Sequence, residues 1–139
     1  MQAVIHHNPK CGTSRNTLAL LRAAGANPVV VDYLTHPWTR ESLGSLIAST
    51  GLGVREVLRQ KEQAYERLGL ADGTLTDERL LDAMIAHPIL INRPIVVTDL
   101  GAALCRPSER VLDLLPEGAL SGDFVKEDGE VIHAKALTE

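Results

Sequence analysis

The chain predicts an α/β fold on a four-stranded mixed sheet, in the order β-α-β, helical insert, β-β-α. Three features carry that expectation. Two short strand-like runs flank a helix-periodic segment near the start, the middle of the chain is helix-periodic and broken by glycines, and two more strand-like runs flank Asp99-Leu100-Gly101. At 139 residues, with 45% hydrophobic and 23% charged residues, the chain suits a single domain, 1-139, with an insert at about 39-87.

Gln2 to His6 has the length of a strand, and Asn8-Pro9-Lys10-Cys11-Gly12 after it is turn chemistry. From Ser14 to Ala24, Leu18, Leu21 and Ala24 follow helical spacing; Thr13 or Ser14 can cap the start, and Gly25 marks the stop. Pro28-Val29-Val30-Val31-Asp32-Tyr33 is a β-branched run too short for a helix, which makes the first third β-α-β with a parallel strand pair. Thr39–Thr50, Val54–Leu68 and Asp77–His87 carry helical periodicity, and Thr76 before Asp77-Glu78 supplies a cap and two first-turn acids. Pro94–Thr98 and Ala102–Cys105 form a hairpin, Ser108 caps a helix through Leu115, and the tail beyond Pro116 is expected as loops with at most a short helix from Glu127. Closed into one sheet with helices on both faces, these elements give the thioredoxin-like arrangement. In that fold the proline opening the third strand is commonly cis and faces a reactive cysteine; Pro94 holds that place, which brings Arg93 toward Cys11.

Composition narrows the function. A formal charge of -4 and 3% aromatics argue against nucleic acid and anionic membrane as partners. No apolar run approaches the ~18 residues of a membrane span, and Met1–Lys10 lacks a signal core, so a cytoplasmic protein is expected. Two cysteines, Cys11 and Cys105, are too few for a disulfide framework.

Cys11 sits on a loop entering a helix, where free backbone N–H groups and the helix dipole favour a thiolate. An ordinary thiol of pKa about 8.5 is only ~3% ionised at pH 7, and reaching ~75% requires ~2.7 kcal/mol of preferential stabilisation. One helix end falls short of that, so a nearby cation is expected among His7, Arg15, Arg59, Arg93 and Arg106. Ser14 stands where a C-x-x-C motif would place its second cysteine, so the site has one thiol. On a strand that presents Arg106 to the site, Cys105 points away and reads as a small buried hydrophobe, leaving reduction to an external thiol.

A phosphatase-type loop is excluded, because Thr17 occupies the position where its arginine would stand. Oxyanion-binding charge must come from farther along the chain: Arg59 at the end of a helix in the insert, Arg93 before Pro94, and Arg106 before Pro107. The adjacent His6 and His7 face opposite ways along a strand, without further ligands at zinc-like spacing, so no metal site is expected. His7, nearer the loop, suits a positive neighbour or hydrogen-bond partner of Cys11, whereas His36, His87 and His133 carry no inferred role.

The segments His7–Leu18, His87–Thr98, Cys105–Glu109 and Phe124–Glu130 together resemble the glutaredoxin-coupled arsenate reductase family over nearly the whole chain. The resemblance implies a thioredoxin-like fold in which Cys11 attacks arsenate to form a thiol-arsenate adduct. Glutathione then enters as co-substrate, glutaredoxin removes it, and arsenite leaves, with no bound cofactor. It also implies that Arg59, Arg93 and Arg106 hold the oxyanion, that His7 lowers the thiol pKa, and that Ser14 assists. Lys10 departs from the small residue common at that position. Two alternatives share part of the pattern. A thioredoxin-fold redox regulator binding RNA polymerase would keep C-x-x-C, against which Ser14 counts. A one-thiol glutaredoxin-like protein lacks the long insert and the Arg93 and Arg106 contexts.

Overall fold

Alternate residues of the first strand, β1 (Gln2–His7), are buried: Ala3, Ile5 and His7 face one way, as the two-residue period of a sheet requires. The computed structural model describes residues 2–133, in two compact units: 2–32 with 93–133, and Tyr33–Asn92. In the first unit a four-stranded sheet runs β2-β1-β3-β4, with β2 at Asn27–Asp32, β3 at Ile95–Thr98 and β4 at Gly101–Leu104. β1 pairs parallel with β2 and antiparallel with β3, and β3 pairs antiparallel with β4, so the mixed sheet is as expected.

Helix α1 (Gly12–Ala23) connects β1 to β2. It buries Leu20 and Leu21 in a core with Ala3, Ile5, Val96, Cys105, Val111 and Leu114. Gly25, at φ 79°, ends it in a conformation that suits glycine. Both Arg93–Pro94 and Arg106–Pro107 peptide bonds are cis.

In the second unit α2 (Arg40–Ser49) starts at Thr39, whose side chain accepts from the Ser42 N–H, and α5 (Asp77–Ala86) starts at Thr76, whose side chain accepts from the Arg79 N–H. The predicted helix over 54–68 is interrupted, leaving α3 (Val54–Val57) and α4 (Gln63–Arg67). Between them Leu58 bridges Ile91, the Arg59 N–H donates to the Leu90 carbonyl at 2.7 Å, and the Asn92 N–H donates to the Val57 carbonyl at 2.8 Å. Extended pairing with a distant segment supplies the bonds that helix continuation would have made. Arg59 is therefore held in an extended connection beyond a helix. The unit spans 33–92, wider at both ends than the expected insert.

Three other expectations change. Cys11 itself is the N-cap residue of α1 in place of Thr13 or Ser14, and Ser14 is buried inside the first turn. Ser108–Leu114 is a 3-10 helix preceded by Pro107, with Val111 and Leu114 buried three residues apart, the period of that helix type. The tail forms a hairpin, β5 (Phe124–Val125) with β6 (Val131–Ile132), in place of a helix from Glu127. Its turn is closed by the Lys126 N–H to the Glu130 carbonyl at 2.8 Å, with Gly129 at φ 90°. The remainder of the expected tail loop, 134–139, lies outside the described residues.

Leu20 is fully buried in the core of the first unit. Leu20→Ala is expected to lower stability by about 2–5 kcal/mol through the cavity it leaves, measured by urea unfolding at an unchanged m-value.

Candidate active site

Strand register builds the site before any side chain does. Ile95 opposes Leu104 and His6 opposes Ile95, so continuing both ladders past the strand ends brings Arg93 opposite Arg106 and Asn8 opposite Arg93. The Cys105 N–H donates to the Pro94 carbonyl at 2.9 Å, and Arg106 Nη1 donates to the Arg93 carbonyl at 2.9 Å, so the register persists into the loops. The loop after β1 and the ends of β3 and β4 meet at this edge.

Asn8 organises the cysteine loop. Its carbonyl accepts the Cys11 N–H at 3.0 Å, its Oδ1 accepts the Lys10 N–H at 2.9 Å, and its own N–H donates to Ser14 Oγ at 3.1 Å. The Asn-Pro pair signals a turn in the sequence, but the inward role of an asparagine that is 2% exposed is visible only in the fold. His7 Nδ1 shares a 2.6 Å hydrogen bond with the same Ser14 hydroxyl. β1, the loop and the first turn of α1 are thereby locked around one buried oxygen.

Cys11 is buried, and burial pushes its thiol up. The Ser14 backbone N–H, hydrogen bonding from the Arg93 and Arg106 side chains, and the Arg93 charge act the other way and prevail, so the thiol lies below its ordinary value. Arg106 Nη1 donates toward Cys11 Sγ at 3.7 Å. Arg93 is 7% exposed. A guanidinium has five donors, more than one sulfur can accept, so two of them beside a thiolate suit a tetrahedral oxyanion arriving at that sulfur.

Of the two roles the sequence offers His7, positive neighbour or hydrogen-bond partner of Cys11, the structure shows its hydrogen bond made to Ser14. Burial, followed by the charges of Arg22 and Arg15, lowers its pKa below the ordinary value of about 6.5, which favours the neutral imidazole. It orients Ser14, whose backbone N–H favours the thiolate. Arg15 is engaged elsewhere, donating to the Pro9 carbonyl at 2.8 Å and pairing with Glu127. Arg59 belongs to the second unit, where it pairs with Glu62 at 3.0 Å and donates to Asn92 Oδ1 at 3.3 Å. Cys105 is fully buried in the core, and burial pushes its thiol up to about 12, in keeping with an inert sulfur. Among the described residues, no group of three or more His, Cys, Asp and Glu side chains could hold a metal ion.

Comparison with known proteins agrees with this chemistry. Residues 6–114 match the model of the ArsC family. The arsenate reductase of Rhizobium meliloti (strain 1021) is 56% identical over 132 residues, spanning 95% of this chain and 94% of that protein. The arsenate reductase of Escherichia coli (strain K12) is 57% identical over 128 residues, spanning 92% and 90%. The structure of an arsenate reductase from Vibrio cholerae superposes with a TM-score of 0.79 at 47% identity, covering 83% of this chain and 98% of that one.

The lowered thiol pKa has a measurable sign. Alkylation of Cys11 by iodoacetamide is expected to fall away on acidification at a midpoint below that of free cysteine, and Arg106→Ala is expected to raise the midpoint. Cys105 should stay unmodified until the protein unfolds.

Proposed function

The chain belongs to the ArsC family and is an arsenate reductase, and from that premise we propose that Cys11 is the nucleophile and glutathione with glutaredoxin the reductant. The observation that carries the first part is the buried sulfur with Arg106 Nη1 at 3.7 Å and its thiol held below the ordinary range.

Arsenate is a tetrahedral oxyanion whose negative oxygens are matched by the guanidinium forks of Arg93 and Arg106. Arg59 is the third oxyanion ligand in this reading, on the strength of the family resemblance. The Cys11 thiolate attacks arsenic: a sulfur–arsenic bond forms, an arsenic–oxygen bond breaks, and the departing oxygen takes up protons and leaves as water. Bound guanidinium groups favour this step in two ways. They offset repulsion between thiolate and oxyanion, and they stabilise charge on the arsenate oxygens as the bond forms. His7 and Ser14 hold the cysteine loop in register for attack, which makes them positioning residues.

Reduction of arsenic from the +5 to the +3 state takes two electrons. With Cys105 buried and its thiol at about 12, these electrons come from outside the chain. Two thiols supply them: glutathione displaces a second arsenic oxygen as water, and the glutaredoxin thiol then attacks the glutathione sulfur, so that the two leave joined as a mixed disulfide and the electron pair stays on arsenic; water replaces Cys11 on the arsenic(III), arsenite departs and Cys11 returns as a thiolate. The protein needs no bound cofactor in this scheme. No helix among the described residues is long and apolar enough to cross a membrane, and a cytoplasmic location, where glutathione is reduced, fits the same reading.

Arsenate-dependent NADPH oxidation in a mixture of glutathione, glutathione reductase and glutaredoxin tests the donor. Wild type is expected to turn over only when both glutathione and glutaredoxin are present; activity with thioredoxin and its reductase in their place would overturn that assignment. Cys11→Ser is expected to abolish turnover while Cys105→Ser keeps most of it, and equal losses would point to an internal dithiol. Arg93→Lys, which keeps the charge but loses the fork, is expected to raise KM for arsenate by about tenfold, and Arg59→Ala to raise it as well; unchanged kinetics would remove either residue from the oxyanion site.

A further inference from the structure

The tail hairpin stands beyond residue 114, where the family match ends, yet it is tied to both segments that converge on the reactive sulfur. On the cysteine side, Glu127 forms a two-pronged pair with Arg15, Oε1 to Nε at 2.8 Å and Oε2 to Nη2 at 3.0 Å. The same arginine donates through Nη1 to the Pro9 carbonyl at 2.8 Å, within the cysteine loop. The Glu127 N–H also donates to Asn16 Oδ1 at 3.1 Å. This ion pair lies against the residue after the nucleophile: a Cβ on Gly12 would meet Arg15 Nη2 at 3.7 Å and Glu127 Oε2 at 3.9 Å.

On the arginine side, Lys126 Nζ pairs with Glu109 at 2.8 Å, in the first turn of the 3-10 helix that follows Arg106-Pro107. The Lys126 side chain is only 9% exposed, unusual for lysine, and its charge is met by Glu109 and by Glu130 at 3.2 Å. Ile132 and Phe124 anchor the hairpin in the core that also holds Leu20 and Cys105. Neighbouring residues of one turn, Lys126 and Glu127, thus bind two separate segments, one leading from Cys11 and the other from Arg106.

We propose that the hairpin 124–132 is a positioning element for the Cys11–Arg106 pair, with Glu127 and Lys126 as positioning residues acting through Arg15 and Glu109. Exposed single ion pairs stabilise folds little, so a bidentate pair and a nearly buried lysine spanning two site segments are better understood as setting geometry than as adding stability. The role rests on Cys11 as the nucleophile. Alkylation reads the sulfur with neither arsenate nor donor present, so failure of this role is distinguishable from failure of the proposed reductant.

The test exploits a difference in sign. Cys11 is faced by Arg93 and Arg106, with Arg15 beside Gly12 and His7 behind Ser14. Removing the Glu127 charge leaves Arg15 unneutralised, which by charge alone favours the thiolate and lowers the alkylation midpoint. Loosening the loop away from Arg106 raises it. Glu127→Gln is therefore expected to raise the iodoacetamide midpoint of Cys11 against the sign of its charge change, and Glu127→Gln and Lys126→Gln are each expected to raise KM for arsenate by at least about threefold with a smaller change in kcat. Glu127→Asp should recover part of both effects, and Lys126→Arg part of the KM effect. A lowered or unchanged midpoint in Glu127→Gln with wild-type KM in both glutamine variants would overturn the proposal, whether or not Tm falls. Should Glu127→Gln fail to fold, Lys126→Gln decides the outcome by its KM for arsenate and the recovery of that KM in Lys126→Arg.

Discussion

A sulfur taken out of water, with its thiol nonetheless held below the ordinary range, is the constraint around which the first unit is arranged. Burial by itself favours the neutral thiol, so each group that reverses it must sit close and hold a fixed direction. The backbone contribution comes from the first turn of α1, with Cys11 at the N-cap and the Ser14 N–H three residues on. Side-chain contributions come from Arg93 and Arg106, remote in sequence and made neighbours by the β3–β4 register. Arginine suits the role because it keeps its charge when partly buried and can serve the sulfur and an oxyanion from one planar group.

The two cysteines show how far environment separates identical side chains. Cys105 lies one residue from Arg106, yet strand alternation turns it into the core, where burial dominates and its thiol is pushed up to about 12. Cys11, also buried, is compensated by polar groups on the loop side and falls below the ordinary range. One chain therefore holds one thiol below and one above its ordinary range. His7 follows the same logic in reverse: burial and neighbouring arginines favour its uncharged form, and its value lies in the 2.6 Å bond that fixes Ser14.

Around that site the polar connections form concentric layers. Asn8, Ser14 and His7 fix the loop from inside the fold, while Arg15, Glu127, Lys126 and Glu109 brace it from the surface. The inner layer is buried and sparing in charge; the outer layer is charged and, at Arg15–Glu127, exposed to solvent. That division follows from desolvation, since an ion pair loses less at the surface than in the interior.

The sheet and its element order were legible in the sequence because they depend on local patterns: β-branched runs at Val29–Val31 and Ile95–Val97, a threonine cap before Asp77, and Asp99-Leu100-Gly101 between two strands. The one-thiol character of the site was equally local, being set by Cys11 and Ser14 on a turn entering a helix. Long-range contacts decided what local patterns could not. Pairing of residues 57–59 with 90–92 broke a helix that periodicity favoured, the 124–132 hairpin replaced an expected helix, and the pKa of His7 was lowered by burial and arginines elsewhere in the chain. Propensity and spacing act within a few residues, whereas desolvation and strand register depend on which distant segments come to lie alongside; those belong to the folded chain alone.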